Sequence, residues 1–297
     1  MYKISEIFKK KNKTFSLEVF PMKTPEGDIK LIHEILKEFA LLKPDFISCT
    51  YGAGGGNKDK TLAIVEHIQK AYGIPSMAHL TCISHTKEEI SQIMQKIVSK
   101  GIQNVLAMRG DPPKNEPHKV PGIDNYKYSS ELVSYIRKEY KDSLCLAVAG
   151  FTEKHPLSPT KESDIKFLKH KVDCGADFII TQLFFDNKLY FDYVDAVKKA
   201  GVNVRVIPGI LPITSYDGLV KFCENCKATI PEKVHKIFEP IKDNQEKVIE
   251  AGIEFATEQC EELLAGGAAG IHFYTLNKVR PIKEVFERLE KSRSFFC

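Results

Sequence analysis

Apolar residues along the chain gather into short, nearly continuous runs rich in β-branched and aromatic side chains, and between these runs apolar positions recur at helical spacing. The runs predict strands at Thr14–Phe20, Asp45–Tyr51, Pro75–Thr81, Asn104–Arg109, Leu144–Phe151, Phe178–Phe185, Val204–Leu211 and Ile271–Leu276. The stretches between them predict amphipathic helices at Asp28–Leu42, Asp59–Ala71, Lys87–Ser99, Ser129–Glu139, Thr160–Asp173, Lys188–Ala200, Tyr216–Lys227 and Pro281–Lys291. Gly101, Gly175 and Gly201 each follow a helix just before the next strand, where a left-handed cap is expected.

Strands that are apolar throughout, rather than at every second residue, are those of a parallel sheet covered on both faces. Strand–helix units repeated eight times within 297 residues match an α/β fold of the (β/α)8 TIM-barrel kind better than an open sheet. The long stretch Ala228–Ala265 departs from the repeat and predicts an extra helix over Asn244–Leu264, closed by Gly266-Gly267. No linker or low-complexity tract divides the chain, so a single barrel domain over 1–297 is expected.

A barrel places its chemistry at the C-terminal ends of strands and in the loops that follow. Polar residues sit there. Glu18 lies inside the apolar run Ser16–Thr24, where a carboxylate is costly unless it is paired, hydrogen-bonded or protonated. Thr50, Asp111 and Gln182 stand at or just past the ends of later runs. Gly52–Gly56 is either a phosphate cradle or a flexible loop beside a ligand, since it lacks the Gly-Lys-Ser/Thr ending of a P-loop and the dinucleotide spacing. In Arg109-Gly110-Asp111-Pro112-Pro113, glycine permits close approach to a ligand and the prolines stiffen the loop; Asp111 either meets that ligand or caps the turn. His79, within a strand, reads as a hydrogen-bonded core histidine, whereas His155, before Pro156, is better placed for a ligand. Asp164, Phe167 and Lys171 share one helix face that either reaches a charged ligand or forms a surface pair. Gln182 needs partners, from a ligand with a donor–acceptor edge or from a neighbouring strand end.

Composition narrows the class. Net charge is +4 and no basic stripe interleaves with aromatics, which argues against nucleic acid. No run approaches the roughly 20 apolar residues that span a bilayer, and the charged start Met1–Lys13 lacks a signal-peptide core, so a cytoplasmic setting is expected. The eight cysteines are scattered; Cys223 and Cys226 form a Cys-x-x-Cys pair on one helix face with no second pair to complete a zinc set, and no metal site is expected.

Taken in order, Glu18-Val19-Phe20-Pro21, Thr50-Tyr51-Gly52-Ala53, Ala78-His79-Leu80-Thr81-Cys82, Arg109-Gly110-Asp111, His155-Pro156, Thr181-Gln182, Ile207-Pro208-Gly209-Ile210-Leu211-Pro212 and His272-Phe273-Tyr274-Thr275-Leu276-Asn277 closely resemble the methylenetetrahydrofolate reductases, specifically their bacterial-type catalytic barrel. The resemblance implies non-covalent FAD at the barrel top, reduced by NADH or NADPH and reoxidised by 5,10-methylenetetrahydrofolate in ping-pong fashion to give 5-methyltetrahydrofolate, a step of one-carbon metabolism and methionine synthesis. It implies Glu18 as the acid that protonates folate N10 and opens the ring to a 5-iminium cation, a role that burial of the carboxyl would favour. Asp111 would sit between flavin and folate, Gln182 at the pterin edge, Tyr216 against the substrate, and Tyr274 and Lys278 near the folate tail. Flavin binding would fall to Thr50, Tyr51, His79, Arg109, Gly110, Asp111, Tyr128, Ser129, Phe151, His155, Asp164, His170 and Lys171.

Departures from the family pattern bear on affinity. Phe151 stands where a tyrosine is common, Phe167 and His170 replace an Asn and an Arg, and Lys278 replaces an arginine fork with a point charge. The chain ends soon after the eighth unit, so a regulatory domain and feedback by S-adenosylmethionine are not expected. The alternatives are a proline-dehydrogenase-like flavin barrel, a reductase subunit fed by an iron–sulfur or flavin partner, and a non-catalytic flavin scaffold, the last disfavoured by an intact Glu18, Asp111 and Gln182. A homo-oligomer is expected.

Overall fold

A computed structural model describes residues 3–51, 58–111 and 124–291. The parallel strands are β1 (Thr14–Val19), β2 (Phe46–Cys49), β3 (Ser76–Thr81), β4 (Asn104–Met108), β5 (Cys145–Gly150), β6 (Phe178–Thr181), β7 (Arg205–Ile207), β8 (Gly209–Ile210) and β9 (Gly270–Tyr274). They lie in the order β7-β6-β5-β4-β3-β2-β1-β9-β8. β7 and β8 are two halves of one stave separated by Pro208, which has no N–H for the ladder. β7 pairs with β6 and β8 with β9, so that single stave closes the barrel. The eight staves follow the predicted strands, and the fold is the expected (β/α)8 barrel.

Around the sheet lie α1 (Ile4–Lys10), α2 (Pro25–Lys30) and α3 (Leu36–Leu41) joined by a π-helical stretch Leu31–Ile35, α4 (Lys58–Tyr72), α5 (Lys87–Ser99), α6 (Ser129–Tyr140), α7 (Lys161–Asp173), α8 (Asn187–Lys199), α9 (Tyr216–Cys226), α10 (Glu232–Phe238), α11 (Gln245–Ala265) and α12 (Val279–Lys291). Gly101, Gly175 and Gly201 do adopt positive φ, of 72°, 115° and 82°.

Strand side chains alternate between two apolar layers. Phe15, Leu17, Val19, Ile47, Leu80, Val105, Leu146 and Ile179 face the helices, while Phe46, Met77, Leu106, Ala147, Phe178 and Ile207 fill the barrel. The floor is closed by α1, a helix the sequence pattern did not predict. Ile4 is buried there and its N–H donates to Asn104 Oδ1 at 2.8 Å. Phe8 meets Phe178 edge-on at 5.0 Å, and Arg205 lies over the Phe8 ring.

Two further differences share a cause. The predicted sixth strand stops at Thr181, and α10 appears beside the expected α11. Leu183 and Phe185 leave the ladder to pack with Ile213, Leu219, Val234 and Phe238 in a separate apolar cluster under α9–α11. Burying those rings outweighs continued pairing at a stave end that has water above it. Among the described residues, no helix is long and apolar enough to cross a membrane.

Candidate active site

Because inward positions alternate, β1 raises Ser16 and Glu18 on the inside of the barrel, and its neighbour β9 raises His272 and Tyr274 at the same heights (Ser16↔His272, Glu18↔Tyr274). Glu18 reaches the mouth with its side chain 18% exposed. Its Oε2 lies 3.5 Å from His79 Nε2 on β3 and 3.8 Å from His272 Nε2. Neither nitrogen makes a hydrogen bond, although both are buried. Ser16 Oγ is 2.8 Å from His272 Nδ1, and Tyr274 donates its hydroxyl to the Thr181 carbonyl at 2.6 Å. The Glu18 carbonyl accepts from Thr275 Oγ1 at 2.6 Å, and Asn277 holds Phe20 by donating to its carbonyl at 2.8 Å. The Glu18 backbone is therefore tied down, and its carboxylate faces imidazoles from two other strands.

Burial pushes the His79 imidazole down to about 4, against the attraction of Glu18, so the ring is neutral at pH 7. Between its ordinary 6.5 and about 4 the unfolded chain binds a proton that the folded one refuses. Stability from this group is complete above pH 6.5 and is lost as pH falls toward 4, at a cost on the order of 3 kcal/mol. Urea unfolding across that window should show His79→Gln flatter with pH than the parent; parallel curves would remove His79 as the cause.

A second sector of the mouth carries charge. Past β4, Gly110 has φ +80°, and a Cβ there would stand 2.7 Å from Thr81 Cβ, so the chain crosses close over β3 only because glycine occupies the position. This crossing presents Arg109 and the exposed Asp111. Past β5, Phe151 meets the His155 ring edge-on at 4.7 Å. Burial lowers the His155 pKa, opposed by Asp164. Arg109 and Asp111 follow β4 and His155 follows its neighbour β5, with Asp164 bonded to Ser158 and Lys171 to Ala149 beside them, so these five groups share one rim. Lys171 is half-buried; its ammonium donates to the Ala149 carbonyl at 2.6 Å, and burial brings it down to about 8. Asp164 accepts from Ser158 Oγ at 2.8 Å.

Other predicted site residues are placed differently. Thr50 stands at the mouth, whereas the Tyr51 ring is buried in the outer layer with its hydroxyl 3.2 Å from His85 Nε2. Gln182 Oε1 accepts from the Leu183 N–H at 2.9 Å, in a cavity it shares with Phe151 and Glu153. Tyr216 is buried at the start of α9 with its hydroxyl 2.7 Å from His235 Nδ1. Lys278 donates to Thr214 Oγ1 at 2.7 Å, and burial lowers its pKa. Tyr128 is 61% exposed, and Ser129 opens α6. His170 is exposed, with its ring 3.9 Å from Cys174 Sγ, and is not brought into the rim cluster. Gly52–Gly56, Pro112 and Pro113 lie outside the described residues. Ser16 and His272 were not singled out as site residues; the signal was there, as polar side chains two residues from Glu18 and Tyr274 on the same strand face.

A parallel barrel with an acid between imidazoles at its C-terminal mouth, and a charged rim beside it, is the construction of a barrel enzyme. A family model described as methylenetetrahydrofolate reductase matches residues 3–290, and the chain belongs to that family. It is 39% identical to methylenetetrahydrofolate reductase (NADH) 1 of Arabidopsis thaliana over 93% of this chain and 48% of that protein. It is 36% identical to the 5,10-methylenetetrahydrofolate reductase of Escherichia coli over 89% of this chain and 86% of that protein. The chain thus spans about half the length of the plant and yeast relatives it matches. A solved structure from Clostridium thermocellum, titled as binding two copies of 5-methyl-5,6,7,8-tetrahydrofolic acid, shares the fold with a TM-score of 0.70, 16% identity and 97% coverage of both chains.

Proposed function

We propose that this barrel reduces 5,10-methylenetetrahydrofolate to 5-methyltetrahydrofolate through bound FAD, with NADH as the electron donor. The observation that carries the reading is Glu18, raised to the mouth by β1 and flanked there by His79 of β3 and His272 of β9. Family membership and the NADH in the Arabidopsis relative's name support the reaction and the donor.

The residues present fit an anionic dinucleotide. Gly110 leaves an approach that a Cβ would fill, and Arg109, His155 and Lys171 bring donors to one rim. Thr50, Arg109, Gly110, Asp111, Tyr128, Ser129, Phe151, His155, Asp164 and Lys171 would hold the flavin from the side chain or backbone, with His79 beneath it. Tyr51 would contribute backbone only, and His170 at most its exposed edge, which agrees with a loosely held adenosine end. When bound, FAD supplies the hydride acceptor and donor that couples the two half-reactions in ping-pong order. Glu18 gives a proton to folate N10, Asp111 and Gln182 orient the pterin, and Lys278 meets a carboxylate of the tail after giving up Thr214. Tyr274, fixed by its bond to Thr181, forms the wall beside Gln182, and Tyr216 backs the substrate from α9. A cytoplasmic setting belongs to the same proposal, supported by buried thiols packed as small apolar groups.

The test is an anaerobic visible spectrum of the purified protein. NADH should bleach a flavin band and methylenetetrahydrofolate should restore it. A flavin left untouched by NADH and NADPH would replace direct donation with a partner protein, and no flavin after reconstitution with FAD would overturn the reading.

A further inference from the structure

Cys223 and Cys226 close the last turn of α9 and lie outside the chemistry described so far. Cys223 is buried and Cys226 half-buried, and neither is bridged. The Cys226 thiol donates to the Cys223 carbonyl at 3.9 Å. Among the described residues, no third ligand completes a metal set with them.

This turn is a partition. On one side, Cys223 lines an open groove of about 360 Å³ with Val220 and His235. On the other, Cys226 lines a narrow crevice of about 10 Å³ together with Gln182, Phe151 and Glu153. Lys227, at φ +57°, turns the chain back so that Ala228 N–H donates to the Cys223 carbonyl at 3.2 Å. Thr229 then ties down on Glu153, its N–H donating to Oε1 at 2.8 Å and its hydroxyl to Oε2. Whatever moves the thiols moves a segment fastened across the Gln182 cavity.

We propose that Cys223 and Cys226 form a thiol–disulfide exchange site for low-molecular-weight disulfides, and that closing the bond reshapes the cavity wall beside Gln182. The Cys226 thiolate attacks one sulfur of the disulfide, forming a mixed disulfide and releasing one thiolate. Cys223 then loses its proton to solvent and attacks the Cys226 sulfur, releasing the second. The protein pair is oxidised by two electrons and the small disulfide is reduced to two thiols.

The division of roles follows from exposure. Cys223 is buried and Cys226 half-buried, so the Cys226 sulfur is the one a small disulfide meets first, and its neighbour Cys223 holds the Cys226 thiol below its ordinary value. Geometry supplies the consequence. Residues three apart on a helix have Cβ atoms about 5–6 Å apart, whereas a disulfide needs about 3.8 Å. Closure must therefore draw the last turn of α9 together by roughly 1–2 Å. So short a loop gains little chain entropy from the bond, and the strain leaves it easily reduced, as a reversible site requires.

The effect on catalysis rests on the folate reading above; the thiol chemistry does not. The full chain is equilibrated across glutathione/glutathione-disulfide mixtures, alkylated and digested with trypsin. The expected product is the peptide Phe222–Lys227 lighter by two hydrogens and resistant to alkylation. Cys223→Ser should instead accumulate a glutathione adduct on Cys226, and Cys226→Ser should react at least tenfold more slowly than Cys223→Ser. Oxidation should raise the folate KM about fivefold, the worth of one net hydrogen bond, and leave the NADH half-reaction unchanged. No bridged peptide at any ratio, equal reactivity of the two single variants, or an unaltered folate KM in the bridged protein would each overturn the inference. Absence of both half-reactions in reduced and oxidised protein would instead strike the folate reading.

Discussion

Glu18→Gln is expected to slow the folate half-reaction by roughly 10²- to 10⁴-fold, the range over which a positioned acid acts, while NADH still reduces the flavin at nearly its original rate. The substitution keeps the shape of the side chain and the backbone bonds from Thr275, so the barrel top should remain in place. What it removes is a proton that can be given to the substrate. An amide at that position still faces His79 and His272, and His79, held neutral by burial, does not replace the acid. Stopped-flow measurement of the two half-reactions separates the outcomes. Equal slowing of both would mean that Glu18 supports the flavin site as a whole, and no slowing of either would remove it from the chemistry.

The largest effect on stability is expected from Gly252→Ala. In the interior of an exposed helix this change normally stabilises, by up to about 1 kcal/mol. Here the sign reverses. A Cβ on Gly252 would stand 1.8 Å from the Ile213 carbonyl oxygen and 2.7 Å from its carbon, and a backbone cannot rotate away as a side chain can. α11 must lift from the segment that follows β8, with an overpacking cost of about 1–3 kcal/mol or more. A fall in Tm of roughly 2–5 °C is expected. The same segment carries Thr214, which holds Lys278, and leads into Tyr216, so a weaker folate affinity should accompany the lower Tm. A Tm that stays level or rises would show that helix propensity outweighs the close approach.

Much of this was legible along the chain. Apolar runs set the eight staves and their parallel sense, since only strands buried on both faces lack alternation. Polar residues at stave ends marked the mouth, and at Glu18, Asp111, Gln182 and Tyr274 the structure has side chains at or beside it. Phe151, His155, Asp164 and Lys171 lie close to one another past β5. In contrast, Tyr51 turned into the outer core, and His170 stayed on the surface of α7. A motif fixes which residues are present; the direction of a side chain depends on the neighbours that compete to bury it.

Local sequence determined what local physics controls: strand and helix periods, caps at Gly101, Gly175 and Gly201, and a buried carboxylate that demanded an explanation. Only the tertiary structure decided what depends on closure. Ser16 and His272 are 256 residues apart and meet because β9 returns to β1. Ile4 and Phe8 close the floor through contacts with Asn104 and Phe178, so α1 has no signature of its own in a short, Lys-rich segment. Pro208 breaks a stave without opening the barrel, since β7 and β8 each find a different neighbour. Gly252 is a weak helix residue until Ile213 is packed against it. These contacts are set by shape and burial between distant segments, and no window of sequence contains both partners.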